Sequence, residues 1–177
     1  MPNVRPGAPS HGIAAFNALS DDAARAELLA CCASPAFAEQ VAAARPYPDG
    51  GALATAAGDA VARLRWDQVL EALSAHPRIG ERAGGAGREA AWSRREQSGV
   101  DGAGQDVRDR LAEGNRAYEE RFGHVYLVCA TGLSAAEMLD RLEVRLGNDE
   151  ETERDVVRGE LGRITGLRLA RLLGEAS

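Results

Sequence analysis

Apolar positions along this chain recur mostly every three to four residues, the period that gathers them on one face of an α-helix. From Gln105 to Gly123 the pattern is regular: Val107, Leu111, Tyr118 and Phe122 follow one another at steps of four, seven and four, and Gly123 stands ready to cap the end. After a short apolar segment, Ile13 to Leu19, Ser20 precedes Asp21 and Asp22, which predicts a capped helix running to about Cys32. Ser34-Pro35 opens a second, closed by Arg45-Pro46, and YPDGG predicts a loop. Two more helices are expected over Leu53–Arg65 and Asp67–Ala75, the latter with Val69, Leu70 and Leu73 on one face. Pro77 disfavours the α conformation in the residue before it, so that helix should stop at or near His76. Beyond a Gly-rich loop over Gly80–Gly87, a short helix is expected over Glu89–Gln97. Ser134 and Glu137 have capping-box spacing for a helix to about Leu146, and a last helix should span Glu151–Leu173. The run VYLVCA, residues 125–130, fits either an extended segment or the start of a buried helix. Roughly eight helices with short connections, and no repeat or heptad, predict an all-α fold: one compact domain over residues 13–177, behind a flexible tail at 1–12.

Composition supports that picture. Aromatics make up only 5% of the 177 residues, which leaves strands poorly supplied. A net charge of −6 argues against a nucleic-acid-binding surface, and no apolar stretch is long enough to span a membrane. Cys31, Cys32 and Cys129 have no disulfide or metal-type spacing, which fits reduced thiols in a cytoplasmic protein. His11 and His124 lack ligand-type neighbours, so no metal site is expected. All 21 basic residues are arginine, a set best explained by composition bias, so an individual arginine carries meaning only where it interrupts an apolar stripe.

Arg168 does so. Val157, Leu161, Ile164 and Leu172 mark the inward face of the last helix, and Arg168 falls midway through the final step. A buried guanidinium needs an anion, supplied either by a core acid or by a ligand. His76 sits where unpaired helix carbonyls and the dipole favour an imidazolium; it can be a plain cap or can face a ligand under the Gly-rich loop. SRREQ, residues 93–97, is either a solvated face or a polar cluster in which Ser93, Glu96 and Gln97 share one side. VYLVCATG is either core or an extended backbone that offers N–H and C=O groups to a flat amide-rich ligand. Cys129, among apolar residues with no neighbouring base, is a poor nucleophile.

Together FNALS at 16–20, AHPRIGE at 75–81, WSRREQSG at 92–99, NRAYEERFGHVYLVCATG at 115–132 and LRLARLL at 167–173 resemble the OHCU decarboxylases, enzymes of urate degradation. The resemblance covers residues 13 to 173. It implies an all-α, homodimeric, cofactor-free carboxy-lyase that converts 2-oxo-4-hydroxy-4-carboxy-5-ureidoimidazoline (OHCU) to (S)-allantoin and CO2. It assigns catalytic roles to His76, Glu96 and Arg168, and substrate contacts to Pro77, to Ser93, Arg94, Arg95, Glu96 and Gln97, and to Tyr126, Leu127, Val128, Cys129 and Ala130. His76 would meet the carboxylate and hydroxyl region and handle the proton, Glu96 would orient substrate protons, and Arg168 would bind an acceptor oxygen. The competing readings are a helical scaffold with no chemistry, and an unrelated cofactor-free lyase or hydrolase acting on a similar ureido acid.

Overall fold

Ser20, Ser34, Asp49, Ser134 and Asp149 each turn a side-chain oxygen onto an unpaired backbone N–H at a helix start, so polar caps punctuate the chain from end to end. The computed structural model describes residues 12–81 and 84–175, so the expected tail lies outside the described residues apart from Gly12. Among the described residues there are nine α-helices. They are α1 (Ile13–Asn17), α2 (Asp21–Cys31), α3 (Pro35–Ala43), α4 (Gly50–Ala62), α5 (Trp66–Leu73), α6 (Arg88–Glu96), α7 (Gln105–Phe122), α8 (Ala135–Arg145) and α9 (Glu150–Leu172), with a 3-10 turn at Ser98–Val100.

The helix beyond the expected eight is α1, a short turn formed by the apolar segment ahead of Ser20. Both ends of α4 move by three residues: it begins at Gly50 rather than Leu53, because the Asp49 carboxylate accepts the Ala52 N–H at 2.7 Å and turns the end of YPDGG into a helix start, and it stops at Ala62 rather than Arg65, which instead caps the start of α5. At Gly123 a left-handed φ of 77° ends α7 where the sequence placed the cap.

Packing places α2 against α3, α4 against α9, and α7 against α8. Two apolar clusters result, one built from α1–α5 and α9, the other centred on α7 and α8. VYLVCA is not helical, and it runs extended between them. Its side chains alternate as an extended chain requires: Tyr126, Val128 and Ala130 enter the second cluster, Leu127 and Cys129 the first.

Gly99, in the 3-10 turn after α6, has no room for a side chain: a Cβ there would lie 2.0 Å from the carbonyl oxygen of Leu133, which is backbone and cannot step aside. Gly99→Ala is therefore expected to lose about 1–3 kcal/mol of stability. A thermal melt should show this as a fall of several degrees. An unchanged midpoint would refute the close approach.

Candidate active site

The site begins where α5 fails to continue. Its last turn tightens, with the His76 N–H donating to the Leu73 carbonyl at 3.0 Å, and Pro77 then directs the chain away. The exit loop is held from two helices: Gln97, the C-cap of α6, accepts the Gly80 N–H at 3.1 Å, and buried Asn115 of α7 donates to the Ile79 carbonyl at 2.8 Å. Arg78 adds a two-pronged bond to Glu119 of α7, at 2.6 and 2.9 Å.

A small cavity of about 20 Å³ lies behind this loop, with room for about one water. His76, Pro77 and Ile79 form one wall, Ser93, Glu96 and Gln97 a second, and Tyr126, Leu127, Val128 and Ala130 a third, with Ile164 of α9 closing it. His76 and Pro77 also border two wider clefts of about 460 and 430 Å³, so the imidazole stands between the interior and solvent-facing space.

Behind Glu96 sits Arg168, which is 5% exposed. Its Nε and Nη2 each meet a different Glu96 oxygen at 2.9 Å, and Nη2 also reaches Ser93 Oγ at 3.2 Å. Arg171 adds a second cation at 2.9 Å from Glu96 Oε1. The anion that the inward arginine required is thus a protein carboxylate, and the planar fork satisfies it with the geometry that makes a buried pair tolerable. Capacity remains on both partners: Arg168 Nη1 has no acceptor among the described residues, and Glu96 Oε2 receives only one N–H. Of the two, only Glu96 lies on the cavity wall, so its carboxylate is the acceptor that a ligand N–H can reach.

His76 is not the imidazolium that its helix end suggested. Burial, and then the positive charge of Arg168, push its pKa down from 6.5 to about 3. Each unit is about 1.36 kcal/mol. The helix dipole offers only about 0.3–1 kcal/mol in the other direction. The ring is neutral at pH 7.

Four of the sequence-assigned residues stand apart from this cavity wall. Arg94 and Arg95 point outward and are exposed, with Arg94 donating to the Gly85 carbonyl at 3.2 Å. Arg168 acts from behind Glu96 and Ser93. Cys129 turns its side chain into the α1–α5 cluster, its thiol held above the usual range by burial and by the nearby Glu160 charge. Gln97 does line the cavity, but its amide serves the loop, with Nε2 also reaching the Arg78 carbonyl at 3.5 Å.

Sequence reading missed Arg171, Arg145, Glu153 and Glu160. Arg145 was findable by the logic applied to Arg168, since it extends the stripe Ala135, Met138, Leu139 and Leu142 on α8. It is buried against Glu153, with Nε and Nη2 at 2.7 and 2.5 Å from one carboxylate oxygen. The Tyr118 hydroxyl donates to the same oxygen at 2.5 Å, and Asn148 donates to the other at 2.9 Å. Among the described residues, no group of three His, Cys, Asp or Glu is placed to hold a metal ion, and no helix is long and apolar enough to cross a membrane.

Comparison with known proteins places the chain as a whole. Residues 17–170 match the OHCU decarboxylase family. The chain is 32% identical over 149 residues to the uric acid degradation bifunctional protein TTL of Arabidopsis thaliana, covering 82% of this chain but 46% of that protein, so it spans under half of the larger molecule. It is 31% identical over 137 residues to the 2-oxo-4-hydroxy-4-carboxy-5-ureidoimidazoline decarboxylase of Amia calva, 76% of this chain and 78% of the relative. A crystal structure of an OHCU decarboxylase in the presence of (S)-allantoin superposes with a TM-score of 0.74 at 30% identity, covering 88% of this chain and 99% of that one. A crystal structure of (S)-allantoin synthase, at 18% identity and a TM-score of 0.68, shares the fold. With the match running from the end of α1 through most of α9, this chain belongs to the OHCU decarboxylase family.

Proposed function

We propose that this chain decarboxylates OHCU to (S)-allantoin and CO2 without a cofactor, within urate degradation. The observation that carries the reading is convergence. His76 after α5, Glu96 on α6 and Arg168 on α9 are far apart in sequence, yet the first two line one buried cavity and the third is bonded to its wall. A scaffold with no chemistry gives no reason to set a neutral histidine on a cavity wall beside a buried ion pair.

The substrate carries its own electron sink. Its carboxylate sits on a carbon that bears a hydroxyl and adjoins a ring C=N. As CO2 leaves, the pair from the breaking C–C bond forms a C=C bond to the adjacent ring carbon, and the C=N π pair moves onto nitrogen, which takes up one proton. The enol so formed loses its hydroxyl proton while that ring carbon gains one, and the carbonyl of allantoin results. His76, on the cavity wall, is the group placed to take the hydroxyl proton and return it to one face of the carbon. Arg168 and Arg171 against Glu96 leave one positive charge in excess, the complement of a monocarboxylate. Glu96 Oε2, on the cavity wall, has capacity for a substrate N–H while Arg168 holds that carboxylate from behind, and unpaired backbone groups of the 126–130 segment would read the ureido amides. The family resemblance supports a homodimer in the cytoplasm as the working form.

The direct experiment supplies freshly generated OHCU and follows (S)-allantoin by circular dichroism. The expected result is rapid formation of one enantiomer. Decay at the spontaneous rate to racemic product would defeat the proposal. Turnover of another ureido acid in its place would favour the unrelated-lyase reading.

A further inference from the structure

An extended segment in an all-α protein poses an accounting problem, because its backbone N–H and C=O groups have no neighbouring strand to pair with. In VYLVCA two side chains take the place of that strand. The Leu127 carbonyl accepts Arg145 Nη1 of α8 at 2.6 Å, and the Cys129 N–H donates to Glu160 Oε2 of α9 at 2.7 Å. Both side chains are about 95% buried, and both are held in turn: Arg145 by Glu153, and Glu160 by Arg163 at 2.6 Å from its other oxygen.

The consequence is directional. In extended backbone the polar groups of successive residues point to opposite edges. With Leu127 and Cys129 facing α8 and α9, the N–H and C=O of Val128 face the other edge, and they have no protein partner among the described residues. Val128 lines the cavity that also holds His76 and Glu96. The Arg145 guanidinium further stacks over the Tyr126 ring, 4.8 Å from its centroid, which fixes the preceding residue.

We propose that Arg145 and Glu160 are positioning residues for substrate recognition: by clamping Leu127 and Cys129 from behind, they lock the register that turns the Val128 backbone toward the substrate. This inference rests on the function proposed above. It also gives a use to a buried Arg145–Glu153 pair that is, as a source of stability alone, a poor exchange for apolar packing.

The clamp predicts a split between binding and chemistry, since neither residue touches the reacting carbon. Glu160→Leu removes the acceptor for the Cys129 N–H and should raise KM for OHCU and the dissociation constant for (S)-allantoin by about tenfold, with kcat within about threefold of wild type. Glu160→Gln keeps an acceptor oxygen and should restore both constants to within about twofold, a rescue that loss of packing would not predict. Arg145→Lys keeps the charge against Glu153 but cannot hold Glu153 and the Leu127 carbonyl together, so it should reproduce the KM effect. It stands as the deciding variant if Glu160→Leu does not fold. A folded variant with wild-type KM, or one that loses kcat at constant KM, overturns the clamp while leaving the decarboxylase reading intact. A wild-type protein inactive on OHCU overturns that reading and the clamp with it.

Discussion

His76→Ala is expected to lower kcat for (S)-allantoin formation by about 10²- to 10⁴-fold, the range for losing a positioned proton-transfer group. The fold should survive, because His76 is only half-buried and its main bond to the protein is its own backbone N–H to Leu73. His76→Asn, which keeps a polar group but cannot carry a proton at neutral pH, should be impaired almost as much. Wild-type rates in both variants would remove His76 from the chemistry. The same residue predicts a pH effect on stability. With a folded pKa of about 3 against 6.5 unfolded, the unfolded chain binds the extra proton between those values. Stability contributed by the neutral ring is therefore complete above pH 6.5 and drains away as pH falls toward 3. Denaturant midpoints taken from pH 7 to 4 should fall more steeply for the wild type than for His76→Asn.

Glu96→Ala should be the most destabilising single change at the site. It leaves Arg168, 5% exposed, without its carboxylate, and an uncompensated buried charge costs about 3–5 kcal/mol. Activity should disappear with it, since Arg168 then swings away from its bonds to Glu96 and Ser93. Stability and chemistry are separable here. In Glu96→Leu/Arg168→Met the buried pair is replaced by apolar groups of similar size, so the melting temperature should recover part of the loss, Arg171 still lacking its Glu96 partner, while turnover stays absent. Arg168→Lys should sit between the two, because an ammonium cannot meet both Glu96 oxygens as the guanidinium does. If the double variant turned over OHCU, the ion pair would be structural alone.

Local physics explains why so much of this architecture was readable in advance. Caps at Ser20, Ser34, Ser134 and Gly123 act within a few residues of themselves, so the chain order reveals them directly. Arg168 announced itself for the same reason: helical periodicity fixes which way a side chain points, and a charge in an apolar stripe demands a partner. Its identity as Glu96 does not follow from spacing, because 72 residues separate the two and only the tertiary fold, in which α2 packs against both α6 and α9, brings them to 2.9 Å.

Other features depend on environment. A histidine at a helix end reads as a cation while only its own helix is considered, and as a neutral base once burial and the Arg168 charge are added. VYLVCA has no period that separates strand from helix, and it is extended because two clusters take its alternate side chains while Arg145 and Glu160 satisfy its backbone. By itself, then, the sequence determined the all-α class, the helix boundaries to within a few residues and the inward direction of Arg168, since these depend on neighbours along the chain. Tertiary structure alone decided which acid meets that arginine, the charge on His76 and the edge that Val128 presents, since each is set by groups that meet only after the helices pack.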